Sequence, residues 1–422
     1  LIQRVAHGST VATNAILERK GARTALIATA GFRNILAIGR QDRPDLYALQ
    51  PRLAPALIPR RWCYEVPERM DHRGSVWVPL DLAVLDDVLD ELVEQNLESV
   101  AVCFLYSYVN SAHEQAVRAR ILQRGLLPET HIALSCEVLP EFREYERAST
   151  VALEAYVRPV MGGYLQRLEE ALNRLQDGAQ ARGSTAGPLL RIIKSDGGVM
   201  SARWARQHAV QTVLSGPAAG VIGGFHVARQ AGYDHVITLD MGGTSTDVSL
   251  CPGRLNLWAE SEIDGLPLRT RVLDIETIGA GGGSIARLDA GGALQVGPHS
   301  AGADPGPIAY GRGGQEVTVT DANCVLGRLV PEYFLGGARS LELAPARKAL
   351  SSLAEQMGLD VEYAALCVLD VAHAKIERAL RRVSVARGYD PREFTLLAFG
   401  GAGPLQACQV ADRLEIPRLL IP

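Results

Sequence analysis

Residues His235–Leu250 read HVITLDMGGTSTDVSL. The first five are β-prone and mostly apolar, as in a buried strand. Asp240-Met241-Gly242-Gly243 follows, then three consecutive hydroxyl residues, Asp247, and a second β-prone run Val248-Ser249-Leu250. The pattern predicts strand, tight glycine turn, strand. A plain β-hairpin would also use Gly-Gly at its turn. Two acids and three hydroxyls within eight residues favour phosphate binding instead. Glycine removes the Cβ that would keep backbone N–H groups from converging on one anion. Thr244, Ser245 and Thr246 add hydroxyl donors, and Asp240, at the end of a buried strand, suits Mg²⁺ with its preference for oxygen ligands. Asp247 is placed to orient a nucleophile or a metal-bound water.

Two further glycine turns stand outside this stretch. Phe399-Gly400-Gly401-Ala402-Gly403-Pro404 follows the apolar run Phe394–Ala398, as a strand-to-helix turn that lets backbone approach a ligand. Gly279-Ala280-Gly281-Gly282-Gly283-Ser284 loosely matches a dinucleotide fingerprint, but no convincing acid follows at the expected distance, so a Rossmann reading is rejected. A helix is expected over Pro217–Gln230, ended by Gly232, and a longer one over Val361–Arg387, closed by Gly388.

The first half alternates strands and helices. Thr24–Thr29 is β-prone, and Asp81–Leu97 carries an apolar helical face with Asp81 as its N-cap. Ser99–Tyr108 reads as a buried strand, 111–124 as a helix stopped by Gly125, and His131–Ser135 as a strand. The order predicts an α/β layered architecture. A helical stretch from Pro140 to Gln176 is expected to break near Pro159 and Gly162-Gly163, and the small, polar Asp177–Pro188 reads as a linker or surface loop.

Composition narrows the function. The 422 residues carry 43 Lys+Arg against 47 Asp+Glu, a net charge of −4, which argues against a nucleic-acid binder. No uninterrupted apolar stretch is long enough for a membrane helix, and no export leader is evident, so the cytoplasm is the expected compartment. The seven cysteines include no Cys-x-x-Cys pair and are expected to be mostly buried thiols. There is no G-x-x-x-x-G-K-[ST], H-E-x-x-H or G-x-S-x-G. The chain starts at Leu1 and stops at Pro422 after an apolar run, so both ends look truncated.

The 236–250 stretch resembles the second phosphate loop of the acetate/sugar kinase–Hsp70–actin superfold, and Gly400–Gly403 its adenosine loop. Within that superfold the chain resembles the hydantoinase A/5-oxoprolinase family, which includes N-methylhydantoinase A and ketone-carboxylase subunits. The segments that carry the likeness run in order along the chain. They are HGSTVATNA at 7–15, EVLPEFREYER at 137–147, SDGG at 195–198, LSGPAAG at 214–220 and the 240–247 loop, then VGP at 296–298 with SAGADPGP at 300–307, TVTDA at 318–322 and GYDPR at 388–392.

The resemblance implies two related α/β domains, ribonuclease H-like, with a nucleotide cleft between them, divided here at 1–184 and 185–422. It implies ATP and Mg²⁺ as cofactors, phosphorylation of the carbonyl oxygen of a small cyclic amide, and a B-type hydantoinase subunit as partner; a homo-oligomer is left open. Asp240 and Asp247 would be catalytic, with Asp240 also the metal ligand. Gly242, Gly243, Thr244, Ser245 and Thr246, the turn Gly281, Gly282 and Gly283, and Gly400, Gly401 and Gly403 would face the nucleotide, while His7, Thr10, Asn14 and Asp304 are substrate candidates. Asp321 is read equally well as a helix cap. Three departures stand out: the family's first phosphate loop would lie before His7, Ile308-Ala309-Tyr310 stands where the family often has Cys, and Gln406 where it commonly has His. A ketone-carboxylase subunit and a non-catalytic nucleotide-gated binding protein remain alternative readings.

Overall fold

A computed structural model describes residues 4–42, 47–50, 55–180 and 189–422, and the side chains of all of these except 175–180. The fold is mixed α/β. Contacts divide the chain into two compact units, Leu1–Ala219 with Leu257–Leu273, and Gly220–Asn256 with Asp274–Pro422. That division differs from 184/185. The strand Leu189–Ile193 pairs in parallel with Arg4–His7, which keeps the chain beyond 184 in the first unit.

The first unit begins with β1 (Arg4–His7), α1 (Val11–Leu17), β2 (Thr24–Thr29) and β3 (Cys63–Val66). It continues through α2 (Leu82–Glu94), β4 (Ser99–Cys103), α3 (Ala112–Gln123), β5 (Ile132–Leu134) and α4 (Glu144–Gln180). Strands β3-β2-β4-β5 form a parallel sheet in that order. Its central strands are buried along their whole length, as a sheet covered on both faces requires. Asp81 caps α2 as expected, its carboxylate accepting from the N–H groups of Ala83 and Val84.

Two expectations in this unit need correction. The strand from Ser99 ends at Cys103, not Tyr108. The Phe104 and Leu105 N–H groups leave the ladder for Glu114 Oε1 and Thr29 Oγ1, and Tyr106 turns the chain at φ +57°. The long helix α4 does not break at Pro159 or at Gly162-Gly163. Proline removes the N–H that would bond the Ala155 carbonyl. The Ser99 hydroxyl, 2.8 Å away, donates to that carbonyl instead and is shared with His131 O at 2.9 Å. Of the expected linker 177–188, residues 177–180 prolong the helix and 181–188 lie outside the described residues.

After α4 come β6 (Leu189–Ile193), β7 (Val199–Ser201) and α5 (Ser215–Gln230), the helix within which the two units divide. The second unit then contains β8 (His235–Met241), β9 (Thr246–Pro252), β10 (Glu276–Ile278), the antiparallel pair β11 (Ser284–Leu288) and β12 (Leu294–Ser300), and α6 (Val319–Val325). Helices α7 (Leu343–Met357) and α8 (Val361–Val383) follow, then β13 (Thr395–Phe399), α9 (Gly403–Arg413) and β14 (Arg418–Leu420). Its sheet has the order β10-β9-β8-β13-β14, antiparallel among the first three strands and parallel from β8 to β14. One apolar core joins Ile237, Leu239, Leu250 and Leu396 of this sheet to Val368, Leu369 and Ile376 of α8.

All seven cysteines are free; Cys63, Cys103, Cys251 and Cys324 are buried, Cys136 and Cys367 half-buried, and Cys408 exposed. Among the described residues no helix is long and apolar enough to cross a membrane.

Candidate active site

The β8–β9 hairpin sets two carboxylates side by side. In the antiparallel register Asp240 lies opposite Asp247, and Met241 opposite Thr246. Directly opposed residues keep their Cβ atoms roughly 5 Å apart. Burial raises the Asp240 carboxyl above its ordinary value. Asp247 is pushed up to about 6, by burial first and by the Asp240 charge as well, against the Thr277 hydroxyl, which donates to Asp247 Oδ1 at 2.5 Å. A buried pair of like charges is costly, and a bound cation would relieve it.

Glycines make room around this pair. A Cβ on Gly220 of α5 would lie 3.1 Å from Asp240 Oδ2. Gly400, at the end of β13, has φ +82°, and a Cβ there would come within 2.4 Å of Asp240 Oδ1. Backbone closeness at this point therefore depends on glycine. The Ala402 N–H donates to Met241 O at 2.8 Å and fastens the 399–404 turn to the hairpin. Helix α9 starts at Gly403 with no side chain capping it, which leaves first-turn N–H groups free.

The turn between β8 and β9 is closed by Gly242 N–H to Ser245 O at 3.0 Å. Among the described residues the N–H groups of Gly243, Thr244 and Ser245 have no protein acceptor, and the hydroxyls of Thr244 and Ser245 have no partner. Thr246 differs: its hydroxyl is buried and donates to Ala280 O at 2.5 Å, so its proton holds the turn rather than facing a ligand.

Gly281, Gly282 and Gly283 also act differently from the expectation. Their N–H groups go to Ser284 Oγ, Gly242 O and Gly243 O. A Cβ on Gly281 would lie 2.6 Å from the Gly243 carbonyl. This turn buttresses the phosphate-type turn from behind, and its own donors are spent. Thr320 fixes it further, its N–H and hydroxyl both bonding Gly282 O, at 2.7 and 2.8 Å.

The four substrate candidates fall in both units. In the first, His7 ends β1 and its Nε2 is 2.6 Å from the Tyr164 hydroxyl; burial lowers its pKa and favours neutral imidazole. Gly8 and Ser9 pack on the start of α5, where Ser9 N–H donates to Ser215 Oγ at 3.1 Å and Ser215 Oγ donates to Ser9 O at 3.0 Å. Thr10 and Asn14 are exposed, one helical turn apart, with Asn14 Nδ2 3.5 Å from Thr10 Oγ1. In the second unit Asp304 is exposed and, among the described residues, makes no hydrogen bond or ion pair through its side chain. It follows the 300–302 segment, which is tied to the turn by Ala301 N–H to Gly283 O at 2.9 Å.

Asp321 resolves as a cap. It is fully buried and forms a reciprocal capping box with Thr318 at the start of α6, while also accepting from the Ala309 N–H. Gln406 is buried, its Oε1 2.6 Å from His373 Nε2, so this position packs inside α8 and α9. Sequence reasoning missed Thr277, Gly220 and Thr320. Nothing local marks Thr277, whereas Gly220 and Thr320 lie in the 214–220 and 318–322 segments that carry the family likeness.

The residues fit a nucleotide phosphate with Mg²⁺. Free N–H groups and hydroxyls of the 243–245 turn are phosphate donors, and Asp240 and Asp247 offer oxygen ligands. Among the described residues no group of three or more His, Cys, Asp or Glu side chains is arranged for a metal. Mg²⁺ would thus need ligand phosphate and water oxygens to complete its shell, as is usual for this ion.

Residues 147–422 match the family described as hydantoinase/oxoprolinase, and residues 1–125 its N-terminal region. Caprolactamase subunit alpha of Pseudomonas jessenii is 40% identical over 99% of this chain and 59% of its own length. The solved structure of the ATP-dependent caprolactamase from that organism superposes with a TM-score of 0.81 at 37% identity, over 100% of this chain and 60% of that one. A nucleotide-free acetone carboxylase structure, from work on ATP-dependent acetone carboxylation, superposes with a TM-score of 0.85 at 28% identity, over 100% and 59%. The chain therefore spans about three-fifths of the length of these relatives.

Proposed function

The chain belongs to the hydantoinase/oxoprolinase family, and from that premise we propose that it is the ATP-using part of an enzyme that phosphorylates the carbonyl oxygen of a small cyclic amide and so activates the ring for hydrolytic opening. The observation that carries this is the opposed Asp240–Asp247 pair beside a turn whose Gly243, Thr244 and Ser245 N–H groups are unspent. The order of the five-stranded sheet supports it. In chain order the strands lie third, second, first, fourth, fifth, with the carboxylates where the first two strands meet. Part of the proposal is that this unit is the nucleotide-binding half of a superfold of two related domains.

When bound, Mg-ATP supplies an electrophilic phosphoryl group. The protein supplies position and charge neutralisation. The 243–245 turn would hold phosphate oxygens, Asp240 would hold the metal, and Asp247 would orient the nucleophile. Phosphoryl transfer breaks the bond between the γ-phosphorus and its bridging oxygen and forms one to the amide oxygen. The amide nitrogen can then no longer donate into the carbonyl. Water attacks that carbon and the ring nitrogen leaves as the amine, taking up a proton; a second water then hydrolyses the resulting acyl phosphate to carboxylate and inorganic phosphate. A B-type partner subunit would carry out this second step, and the cytoplasm supplies the ATP that the reading requires. A ketone-carboxylase subunit is the second reading, favoured by the TM-score of 0.85 to acetone carboxylase.

Substrate-dependent ADP release tests both. Hydantoin, 5-oxoproline and ε-caprolactam are offered in parallel with acetone plus bicarbonate, with and without partner subunit. A lactam or hydantoin is expected to raise ADP release, and Asp240→Asn to abolish the increase. Stimulation by the ketone alone would favour the second reading. Slow hydrolysis indifferent to every substrate would leave only a nucleotide-gated binding protein.

A further inference from the structure

A second concavity lies in the same unit as the carboxylate pair. It is a cavity of about 210 Å³ lined by Tyr310, Arg312, Phe334, Leu335 and Arg339, with Ala303 at one side. The Tyr310 and Phe334 rings are 5.3 Å apart between centroids and tilted by 36°, which makes an aromatic wall. Among the described residues neither Arg312 nor Arg339 has an ion-pair partner. Arg312 Nη1 donates to Ala303 O at 3.1 Å, which places its guanidinium at the cavity edge. Glu342 lies against the Gly311 backbone and, among the described residues, pairs with neither arginine.

The third wall is strained. Leu335 is 64% exposed and has φ +53° and ψ +42°, followed by Gly336 at φ +67° and Gly337 at φ +85°. Left-handed backbone at a bulky residue costs of order 1 kcal/mol, and such strain gathers at ligand sites. Here it turns Leu335 into the cavity lining.

We propose that this cavity is a binding site for a small ring-bearing carboxylate, the ring against Tyr310 and Phe334 and the carboxylate between Arg312 and Arg339. The size agrees: an apolar cavity of about 150 Å³ holds benzene, so this one admits a six-membered ring with a charged substituent. Guanidinium is suited to the anion because its fork matches a carboxylate. The site is wired to the phosphate-type turn. The Tyr310 hydroxyl interacts with Thr320, and Thr320 bonds Gly282 O, whose own N–H bonds Gly242 O. An anion in this cavity therefore bears on the segment that supports Gly242 and Gly243.

The first comparison needs no nucleotide, so its outcome stands apart from the ATP reading. Benzoate and benzamide share ring and size and differ by one charge. Titrated calorimetrically into the full chain, benzoate is expected to bind at least about tenfold more tightly than benzamide. Arg312→Gln combined with Arg339→Gln is expected to erase that preference. Both residues are exposed, so thermal melting should be unchanged. Phe334→Ala is expected to weaken both ligands. Equal affinities, a preference that survives the double substitution, or no benzoate binding at about 10 mM would overturn the proposal. It would also be overturned if ATP displaced benzoate and the arginine substitutions weakened ATP to the same degree, because the cavity would then belong to the nucleotide site.

Discussion

Replacing Asp247 with Asn should stabilise the metal-free protein, and only at neutral to alkaline pH. The Asp247 carboxyl is pushed up to about 6 from an ordinary 3.8 by burial, with Asp240 adding to the effect. A folded state that binds its proton more tightly than the unfolded chain is favoured at low pH. That advantage is full below about 3.8 and is lost as pH rises through 6. About two pKa units correspond to about 3 kcal/mol. Partial water access at Asp247 brings the expected gain for Asp247→Asn to about 1–3 kcal/mol at pH 8. At pH 4 the folded carboxyl is protonated and the unfolded one only partly ionised, so the difference should shrink to about 0.5 kcal/mol or less. Asn keeps an oxygen to accept from Thr277, so the comparison is nearly isosteric. Urea denaturation in EDTA, of wild type and variant at pH 4, 6 and 8, reads the difference directly. A variant no more stable than wild type at pH 8, or a difference independent of pH, would refute the account of a charge crowded by its neighbour. Adding Mg²⁺ at pH 8 should stabilise wild type more than the variant.

Gly400→Ala should lose about 1–3 kcal/mol in thermal melting, because φ is +82° and the new Cβ meets Asp240 Oδ1 and Met241 O; calorimetry should find ATP binding weakened in step. Ser99→Ala should cost about 1–3 kcal/mol in urea unfolding, since the Ala155 carbonyl beside Pro159 then has no donor. Glu154→Gln should cost about 3–5 kcal/mol by the same assay: the fully buried carboxylate accepts from Arg158 Nε and from the Ala209 and Val210 N–H groups, and its removal strands a buried guanidinium. Gly281→Ala should lower both ATP affinity and the melting temperature without removing any ligand donor; an unchanged ATP affinity by calorimetry would contradict the crowding expected from a Cβ 2.6 Å from the Gly243 carbonyl.

How much of this was legible before folding depended on the range of the interactions. The strand–turn–strand unit at 235–250 was readable because side-chain alternation and Gly-Gly are local signals, and the structure places Asp240 and Asp247 opposite each other, as a short hairpin must. The Asp81 cap and the stops at Gly125 and Gly232 were equally local, whereas the helix from Val361 ends at Val383 rather than at Arg387, and Gly388 closes only the short 3-10 turn Val385–Arg387 that follows. Pro159 was misread because the group that rescues its helix, the Ser99 hydroxyl, belongs to a distant strand. The early end of β4 was missed for the same reason, since Glu114 and Thr29 take over its next two N–H groups.

The site shows the same split. Residue type and spacing by themselves determined that carboxylates, hydroxyls and glycines would cluster at one strand end, because a two-strand turn leaves them nowhere else to go. Which donors stay free was settled only in three dimensions. Gly281, Gly282 and Gly283 look like ligand-facing glycines in the sequence, yet their N–H groups are used within the protein. Thr246 looks like Thr244 and Ser245, yet its proton goes to Ala280. A sequence specifies which hydrogen-bonding groups a segment carries, but each buried group must find a partner wherever the packed chain supplies one, and for this protein those partners come from elements 30 to 60 residues away or more.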